Sequence, residues 1–299
     1  MSVSLATVAT QFLERQGLAK STIRSYEGTL LSLLQEYGRI PIEIIDRQTI
    51  CEYLNSLDNL SYTTHQRHQA IIQALFNFAQ EQGYIKVNPV ARLRRRKPDP
   101  DKGEHDASET IRYLTSQQIQ LLYQVVATDS RMNAIVRLLH RSGARIGEVL
   151  ALNVNDIDWL NYKFHVVGKG NKSRWCFYSK DAAEAVQNYL QYYRHTTAIS
   201  ALFTAQHQFT GEVTRLSYRT AHKNWTLLIQ PIPELAGIRL HDLRHTFATE
   251  RVGLMGIEEL RALMGHANIQ TTLRYQKVTS ARAEYIAKEA LNYLTKSDD

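Results

Sequence analysis

Apolar residues recur at the spacing of an α-helix through the first part of the chain, up to about residue 90. The spacing predicts four helices, with apolar stripes in residues 8–13, 23–34, 49–57 and 71–79. Ser21 and Thr22 are predicted to cap the second helix, because hydroxyl oxygens accept hydrogen bonds from the free amides of a first turn. Gly83 is predicted to follow the end of the fourth, as glycine commonly does. This part of the chain is therefore predicted to be a helical domain.

The pattern changes beyond residue 110, where helices alternate with short strands. Thr115 and Gln118 predict a helix that starts with a capping box, and residues 132–140 are apolar at helical spacing. Residues 163–167 and 173–178 are typical of strands joined by a glycine-flanked turn. A helix predicted for residues 181–193 carries three tyrosines that we expect to be packing residues, namely Tyr189, Tyr192 and Tyr193. Residues 200–235 allow only a loose assignment. The predicted fold class is mainly α with a small β-sheet in the second domain.

A basic segment with two prolines separates these two patterns. Its charge run, Pro98 and Pro100, and its few apolar residues are typical of an interdomain linker. Residues 98–108 are expected to be a solvated tether. The predicted domains are a helical domain at 1–92, a linker at 93–110, a mixed α/β domain at 111–280 and a C-terminal helix and tail at 281–299.

The composition indicates a basic protein with a polyanionic partner. The 299 residues carry a formal net charge of +7, and the pI is near 9.3. Cys51 and Cys176 offer no disulfide framework and fit a reducing cytoplasm, where we expect the protein to lie. We find no signal peptide and no apolar run long enough to span a membrane. The sequence also lacks the P-loop, CxxC and HExxH motifs, so we expect no metal and no cofactor.

Two arginines, a group of histidines and one tyrosine are the candidate chemistry. Arg145 lies in the sequence S-G-A-R-I-G-E, His241 and Arg244 lie in H-D-L-R-H, His266 follows a glycine, and Tyr275 lies nine residues later. This set suits attack of a tyrosine on a phosphodiester, because arginines stabilise the charge that develops on the non-bridging oxygens. Neighbouring cations are expected to ease deprotonation of the tyrosine, whose reference pKa is about 10.

Each of these motifs alone has an ordinary structural explanation. A lone H-x-x-R is usually a helix face with a satisfied histidine, and Gly265 with His266 would suit a helix C-cap followed by a loop. Arg145 alone would suit a solvated helix cation. The order and spacing of the whole set favour a functional explanation.

With these motifs the chain resembles the tyrosine recombinases, or phage-integrase family, which includes the Xer recombinases. The matches to the family's G-x-R-x-x-E, H-x-x-R, L-G-H and tyrosine motifs are, in chain order, Gly143, Arg145 and Glu148; His241 and Arg244; Met264, Gly265 and His266; and Tyr275. The family's lysine hairpin, G-K-G-x-K-x-R, is matched at residues 168–174, where we assign the catalytic part to Lys169 rather than to Lys172. Methionine replaces leucine at position 264, a swap that conserves volume.

The resemblance implies a set of catalytic roles. The six residues expected to be catalytic are Arg145, Lys169, His241, Arg244, His266 and Tyr275. The tyrosine would form a 3′-phosphotyrosyl intermediate, and both arginines and His266 would hold the non-bridging oxygens. The lysine would protonate the leaving 5′ oxygen, and His241 would assist proton transfer. Glu148 is expected to orient Arg145 or a histidine, and His245 to pack or to support a catalytic neighbour. No ATP or metal is needed, because the covalent link stores the energy of the broken bond.

The resemblance also implies a two-domain, C-shaped clamp on double-stranded DNA that carries a specific core site. The residues expected to contact DNA are Thr64, His65, Arg67, Arg94, Arg95, Arg96, Lys97, Lys172 and Arg174. A dimer on one site and a nucleoid-associated tetramer exchanging strands through a Holliday junction are implied. The residues of the C-terminal helix leave open whether it folds back on its own protomer or docks on a neighbouring one, and the resemblance favours docking on a neighbour. Target sequence and accessory proteins stay open, as does the choice between chromosome or plasmid dimer resolution and mobile-element integration or excision.

Two other functions are compatible with parts of this pattern. A type IB topoisomerase uses a similar constellation to relax DNA as a monomer, but the helical first domain and the Xer-like motifs argue against it. A DNA-binding accessory protein with a vestigial site would have lost at least one catalytic residue, and none of the six is missing.

Overall fold

The chain folds into two compact units, Met1–Thr110 and Ile111–Asp299. The computed structural model describes residues 2–104, 111–168, 173–195, 198–278 and 287–288. Each unit has an apolar core of its own. The architecture is mainly α-helical with small antiparallel sheets, as predicted.

The first unit is built from the predicted helices. They are α1 (Leu5–Glu14), α2 (Lys20–Tyr37), α3 (Arg47–Ser56) and α4 (Tyr62–Glu81). Their apolar stripes face one core, in which Phe12, Leu33 and Phe76 are fully buried. The predicted cap of α2 is wrong: Ala19 is the N-cap and provides no side-chain hydrogen bond, so the two hydroxyl residues lie inside the first turn. Gly83, with φ of 77°, follows the end of α4 as expected.

The linker folds back on the first unit as far as residue 104. Glu104 accepts hydrogen bonds from Arg96 Nη2 at 2.7 Å and from the backbone amide of Tyr62 at 2.8 Å. Asp99 caps a 3₁₀ turn at Pro100–Lys102, and its amide also donates to Glu104. The prediction of a solvated tether is therefore wrong for residues 98–104, because one carboxylate ties this segment to the start of α4. Residues 105–108 lie outside the described residues.

The second unit places its helices around a small sheet. Its helices are α5 (Ser116–Val126), α6 (Ser130–Ser142), α7 (Ile146–Ala151), α8 (Lys180–Asn188), α9 (Tyr218–Ile229), α10 (Leu240–Arg251), α11 (Ile257–Met264) and α12 (Gln270–Leu273). Its strands are β1 (Ile157–Asp158), β2 (Lys163–Val167), β3 (Ser173–Phe177), β4 (Thr204–Gln206) and β5 (Val213–Arg215). Helix α6 lies against α8 and α10. The predicted capping box at the start of α5 is present.

Both sheets of this unit are antiparallel. Strands β1, β2 and β3 form one sheet in that order, with Phe164 opposite Cys176 and Val167 opposite Ser173. The predicted hairpin is therefore present, and its connection runs through residues 168–172. Strands β4 and β5 pair in the region that the sequence left loosely assigned. The buried side chains of β2 and β3 cover the core, as their alternating burial shows.

Helix α8 continues into a π-helical turn at Tyr189–Tyr193. Tyr189 is buried, and its hydroxyl lies 3.2 Å from Thr204 Oγ1. Tyr192 and Tyr193 are 68% and 58% exposed. The packing prediction is therefore right for Tyr189 and wrong for the other two, which lie on the solvent side of the turn. No helix among the described residues is both long and apolar enough to cross a membrane.

Candidate active site

The short link between α6 and α7 positions Arg145. Gly143 ends α6 with φ of 65°, and a Cβ at this position would collide with the ring of Phe247. Only glycine suits both the backbone conformation and the close approach. Arg145 follows as the N-cap residue of α7. The G-x-R spacing thus sets where the guanidinium leaves the backbone.

A carboxylate one turn into α7 holds Arg145 in place. Glu148 Oε1 accepts a hydrogen bond from Arg145 Nη1 at 3.0 Å, and Oε2 accepts one from the Arg145 amide at 2.7 Å. Arg174 donates to the same two oxygens at 2.9 and 2.7 Å. Burial alone would raise the pKa of Glu148, but the bonds from Arg174 and Arg145 outweigh it and lower the pKa to about 2. The carboxylate is therefore ionised at neutral pH and fixes both arginines.

Arg174, which the sequence predicts to contact DNA, is engaged inside the protein in this structure. Its side chain is 10% exposed. Both terminal nitrogens bind Glu148, and Nε donates to the Leu263 carbonyl at 3.0 Å. This fork-shaped pairing ties β3 to the end of α11 and to the start of α7. The sequence places Arg174 in a basic hairpin, and only the tertiary contact reveals its carboxylate partner.

Arg244 joins three helices at one guanidinium. It lies on α10 and is 2% exposed. Nη1 donates to the Gly143 carbonyl at 2.5 Å, and Nη2 donates to the Met264 carbonyl. Burial, followed by the charges of Arg145 and Arg174, lowers the pKa of Arg244 to about 10. The group therefore stays cationic at neutral pH.

The end of α11 brings His266 to the same place. Gly265 caps the helix with φ of 61°, and its carbonyl lies 3.5 Å from Arg145 Nη2. His266 Nδ1 lies 2.8 Å from Thr272 Oγ1. Burial, followed by the cations Arg244 and Arg145, lowers the pKa of His266 to about 3. The imidazole is therefore neutral at pH 7 and can donate through only one ring nitrogen.

Tyr275 lies in a 3₁₀ turn at Arg274–Val278 and is 3% exposed. Its hydroxyl lies 2.8 Å from His245 Nδ1, and its ring is parallel to that of His266 with centroids 6.4 Å apart. Burial raises the pKa of Tyr275, and Arg244, Arg274 and Arg145 offset only part of that rise. The expectation that cations ease deprotonation is thus outweighed by burial, and the phenol is protonated in the free protein.

Two histidines of α10 lie between the protein surface and the Tyr275 hydroxyl. His241 is exposed in the first turn of α10, and its ring meets that of His245 edge to face with centroids 4.7 Å apart. Although part of the residue is exposed, the protein atoms around its imidazole remove water from it, and this desolvation, followed by the charge of Arg244, lowers the pKa of His241. The contact with Tyr275 is made by His245, for which the sequence predicted only packing or support. The sequence analysis also missed the contact of Thr272 with His266. Neither this contact nor that of His245 with Tyr275 has a recognisable sequence pattern.

The two predicted hairpin lysines and the predicted DNA contacts of the first unit differ in what the structure shows of them. Lys169 and Lys172 lie outside the described residues. His65, another predicted DNA contact, is 6% exposed, and its Nε2 lies 2.9 Å from the Leu54 carbonyl, so it packs inside the first unit in this structure. Arg96 is paired with Glu104, and Thr64 is half-buried. Of the residues predicted to contact DNA in the first unit, four have exposed side chains: Arg67, Arg94, Arg95 and Lys97.

The site can stabilise an anion beside a tyrosine hydroxyl. Arg145 and Arg244 both bind carbonyls of the Met264–Gly265 segment, and both act electrostatically on Tyr275. Two fixed guanidinium forks in a largely buried site suit the non-bridging oxygens of a phosphodiester. Among the described residues, no group of His, Cys, Asp and Glu has the arrangement of a metal site.

Replacing Glu148 with glutamine is expected to lower the free energy of unfolding at pH 7, on the order of 3 kcal/mol, because Arg174 loses its buried counter-charge. The folded-state pKa of Glu148 is lowered from 4.5 to about 2, so its stabilising effect is complete above the unfolded value and lost as pH falls towards 2. The difference between wild type and variant should therefore shrink between pH 5 and pH 3, as measured by urea unfolding. Glu184→Gln, which removes an exposed pair with Lys180, is the matched control. An equal difference at both pH values would contradict this account.

Comparisons with known proteins cover both units. The model of the phage integrase family matches residues 112–282, and that of the phage integrase central domain matches residues 5–96. Tyrosine recombinase XerC of Corynebacterium glutamicum is 28% identical over 280 residues, which cover 89% of this chain and 84% of the relative. Tyrosine recombinase XerC of Haemophilus influenzae is 31% identical over 221 residues, covering 68% and 66%.

Solved structures show the same fold. The Tn1549 transposon integrase in complex with a circular intermediate DNA superposes with a TM-score of 0.75 at 20% identity, covering 96% of this chain and 99% of that one. A lambda integrase tetramer bound to a Holliday junction superposes with a TM-score of 0.66 at 17% identity, covering 89% and 78%.

Proposed function

Because this chain belongs to the phage integrase family and is a site-specific tyrosine recombinase, we propose that Tyr275 cuts a DNA strand and holds its 3′ phosphate as a covalent ester. The main support for this assignment is the position of Tyr275. It is buried near Arg244 and near His266, which follows the end of α11. The ester conserves the energy of the broken bond, so rejoining needs no ATP.

The remaining side chains divide the work on the phosphate. Arg145 and Arg244 bind the non-bridging oxygens with planar forks that cannot lose their charge at neutral pH. His266, neutral and bonded to Thr272, donates one further hydrogen bond. His241, exposed next to the site, assists proton transfer. Support comes from the way Glu148 and the Met264 and Gly265 carbonyls fix these groups before DNA arrives.

Lys169→Ala is expected to slow cleavage roughly a hundredfold or more, whereas Lys172→Ala changes it little. Lys169 is our general acid for the 5′ oxygen, on the strength of its place in the lysine motif that links β2 to β3 in the sequence. A substrate with a 5′-phosphorothiolate should restore the Lys169→Ala rate, because sulfur leaves without a proton. Single-turnover cleavage on both substrates measures this. Equal defects in the two variants, or no rescue by sulfur, would remove Lys169 from the acid role.

We propose that the substrate is double-stranded DNA with a specific core site, bound by two copies and recombined by four. The lambda integrase in the comparison forms a tetramer on a Holliday junction, which supports the same assembly here. In the first unit, the exposed residues Arg67, Arg94, Arg95 and Lys97 are the proposed phosphate contacts. The place of action is the cytoplasm, on nucleoid DNA.

Trapping the covalent intermediate on nicked host DNA tests the proposed function and also identifies the target DNA sequence. A nick close to the cleaved bond lets a short fragment diffuse away, so the adduct cannot be resealed. Purified protein is incubated with nicked genomic fragments in EDTA, and adducts that survive denaturant are sequenced. One recurring sequence is the expected result, and its genomic position separates dimer resolution from mobile-element excision. Adducts scattered without sequence preference would favour a topoisomerase. The absence of any adduct would contradict the proposal.

Deleting residues 282–299 is expected to spare binding of one protomer and to weaken cooperative binding to a full site. Apolar residues recur there at helical spacing, at Ala283, Ile286, Ala287, Ala290, Leu291 and Leu294. Of residues 282–299 the structure describes only Ala287 and Lys288, which are helical and exposed. We propose that this helix docks on a neighbouring protomer, because a short amphipathic helix needs a partner groove. Gel-shift titrations on half and full sites measure the change. Unchanged cooperativity, or loss of the native fold, would contradict docking in trans.

A further inference from the structure

The histidine that touches the nucleophile is not the one that the H-x-x-R motif singles out. His245 Nδ1 lies 2.8 Å from the Tyr275 hydroxyl. His241 lies at the surface and meets His245 edge to face. The two histidines are one helical turn apart on α10, so they share a face and only the deeper one reaches the phenol.

We propose that His245 is the general base that accepts the phenolic proton of Tyr275 when the DNA strand is cut. The inference rests on the proposed function, in which Tyr275 is the nucleophile. His245 is a catalytic residue in this scheme, because it contacts the reacting oxygen directly.

The proton and the bonds balance in both directions. During cleavage the Oη–H bond breaks and its proton moves to His245 Nδ1, while the Oη–P bond forms and the P–O5′ bond breaks. The leaving 5′ oxygen takes its proton from Lys169. During rejoining the 5′ hydroxyl attacks the phosphorus and returns its proton to Lys169. The departing phenolate then recovers the proton from His245, so both groups end in their starting states.

The environment of His245 keeps it ready to accept a proton. The titratable and charged groups that act on it are His241, Asp242, Arg239 and Arg244 from α10 and its cap, together with Tyr275 and His266 from the segments packed against α10. Burial, followed by His241, lowers the pKa of His245 to about 4 in the free protein. The imidazole is therefore neutral at pH 7, and its Nδ1 lone pair faces the hydroxyl when Nε2 carries the hydrogen.

Bound DNA is expected to strengthen this base. A phosphodiester brings a negative charge to Arg145 and Arg244, and the arginines then repel a proton on His245 less than before. The pKa of His245 should rise towards the working pH, which is where a general base is most effective. The base would therefore become active only when a phosphate occupies the site.

The tautomer of His245 provides a test that needs no DNA. In ¹⁵N spectra of the full chain at pH 7.5, Nδ1 of His245 should be unprotonated, with the shift of a nitrogen that accepts a hydrogen bond. Tyr275→Phe should move that signal to the position of a free imidazole nitrogen. A protonated Nδ1 would mean that histidine donates to the phenol oxygen, and that result would overturn the proposal.

Single-turnover cleavage tests the same idea on the reacting system. The substrate is a nicked duplex carrying the sequence captured by covalent trapping. His245→Asn keeps an acceptor oxygen near the Nδ1 position but cannot hold a proton, and His245→Ala removes the contact. Both variants should form the adduct roughly a hundredfold more slowly. Imidazole in solution should restore part of the His245→Ala rate, and both variants should accelerate about tenfold per pH unit. His222→Ala, at an exposed histidine of α9, is the control.

The outcomes separate this inference from the proposed function. An adduct in wild type and none in Tyr275→Phe establish the nucleophile whatever His245 does. Near wild-type rates in His245→Asn would show a positioning hydrogen bond instead of a base. Faster cleavage in His245→Ala would show that the histidine restrains the tyrosine. Either of these two results, or no rescue by imidazole, would overturn the proposal.

Discussion

Tyr275→Phe is expected to abolish the covalent protein–DNA adduct while leaving DNA binding unchanged. The ring is buried and its only polar atom is the hydroxyl that would attack phosphorus, so phenylalanine conserves the packing and removes the nucleophile. Loss of the bond to His245 should lower the free energy of unfolding by only about 1 kcal/mol. Adduct formation on a nicked duplex is measured under denaturing conditions, and binding by gel shift.

The control for this variant is Tyr192→Phe, which removes the hydroxyl of an exposed tyrosine far along the chain from the site motifs. It should form the adduct at the wild-type rate. An adduct in Tyr275→Phe that survives denaturant would show that another residue is the nucleophile.

Arg244→Lys is expected to slow adduct formation by roughly a hundred- to a thousandfold with little loss of DNA affinity. Lysine keeps the positive charge but has no planar fork, so it cannot bind the Gly143 and Met264 carbonyls and still present donors to a phosphate. Because α10 and the ends of α6 and α11 meet at this guanidinium, the melting temperature should also fall. Single-turnover rates and thermal unfolding measure the two effects.

Arg219→Lys provides the comparison, since Arg219 is exposed on α9. A rate loss that disappears when Arg244→Lys is assayed well below its melting temperature would mean that Arg244 acts only through stability. A rate loss that persists in the fully folded variant would show that Arg244 binds the phosphate.

The helices were largely predictable because burying one apolar stripe dominates their energetics. The stripes of α1 to α4 and of α6 appear in the sequence at helical spacing and face the two cores. The β2–β3 hairpin was predictable for a related reason, since alternating side chains and a glycine-flanked turn leave few other structures. Details set by single hydrogen bonds were not. The N-cap of α2 and the contact of Glu104 with the start of α4 both depend on geometry that no local pattern encodes.

Charged residues were harder to place, because a charge run says nothing about which side chains find partners. Arg174 and His65 were both predicted to contact DNA, and both lie engaged inside the protein. Arg94 and Arg95 belong to the same kind of basic segment and are exposed. A buried charge needs partners inside the protein, and for Arg174 that partner is Glu148, which it meets only after the sheet and α7 have packed.

By itself, the sequence determined the mainly helical fold and singled out two arginines, His266 and Tyr275, which lie together in the structure. It could do so because the hydrophobic period and the spacing of functional groups are local properties that survive in any correct tertiary arrangement. Only the tertiary structure decided that Tyr275 is buried with a raised pKa and that its hydroxyl contacts His245 rather than His241. Those properties depend on distances between α10 and the turn that follows α12, two segments whose relative positions no local pattern specifies.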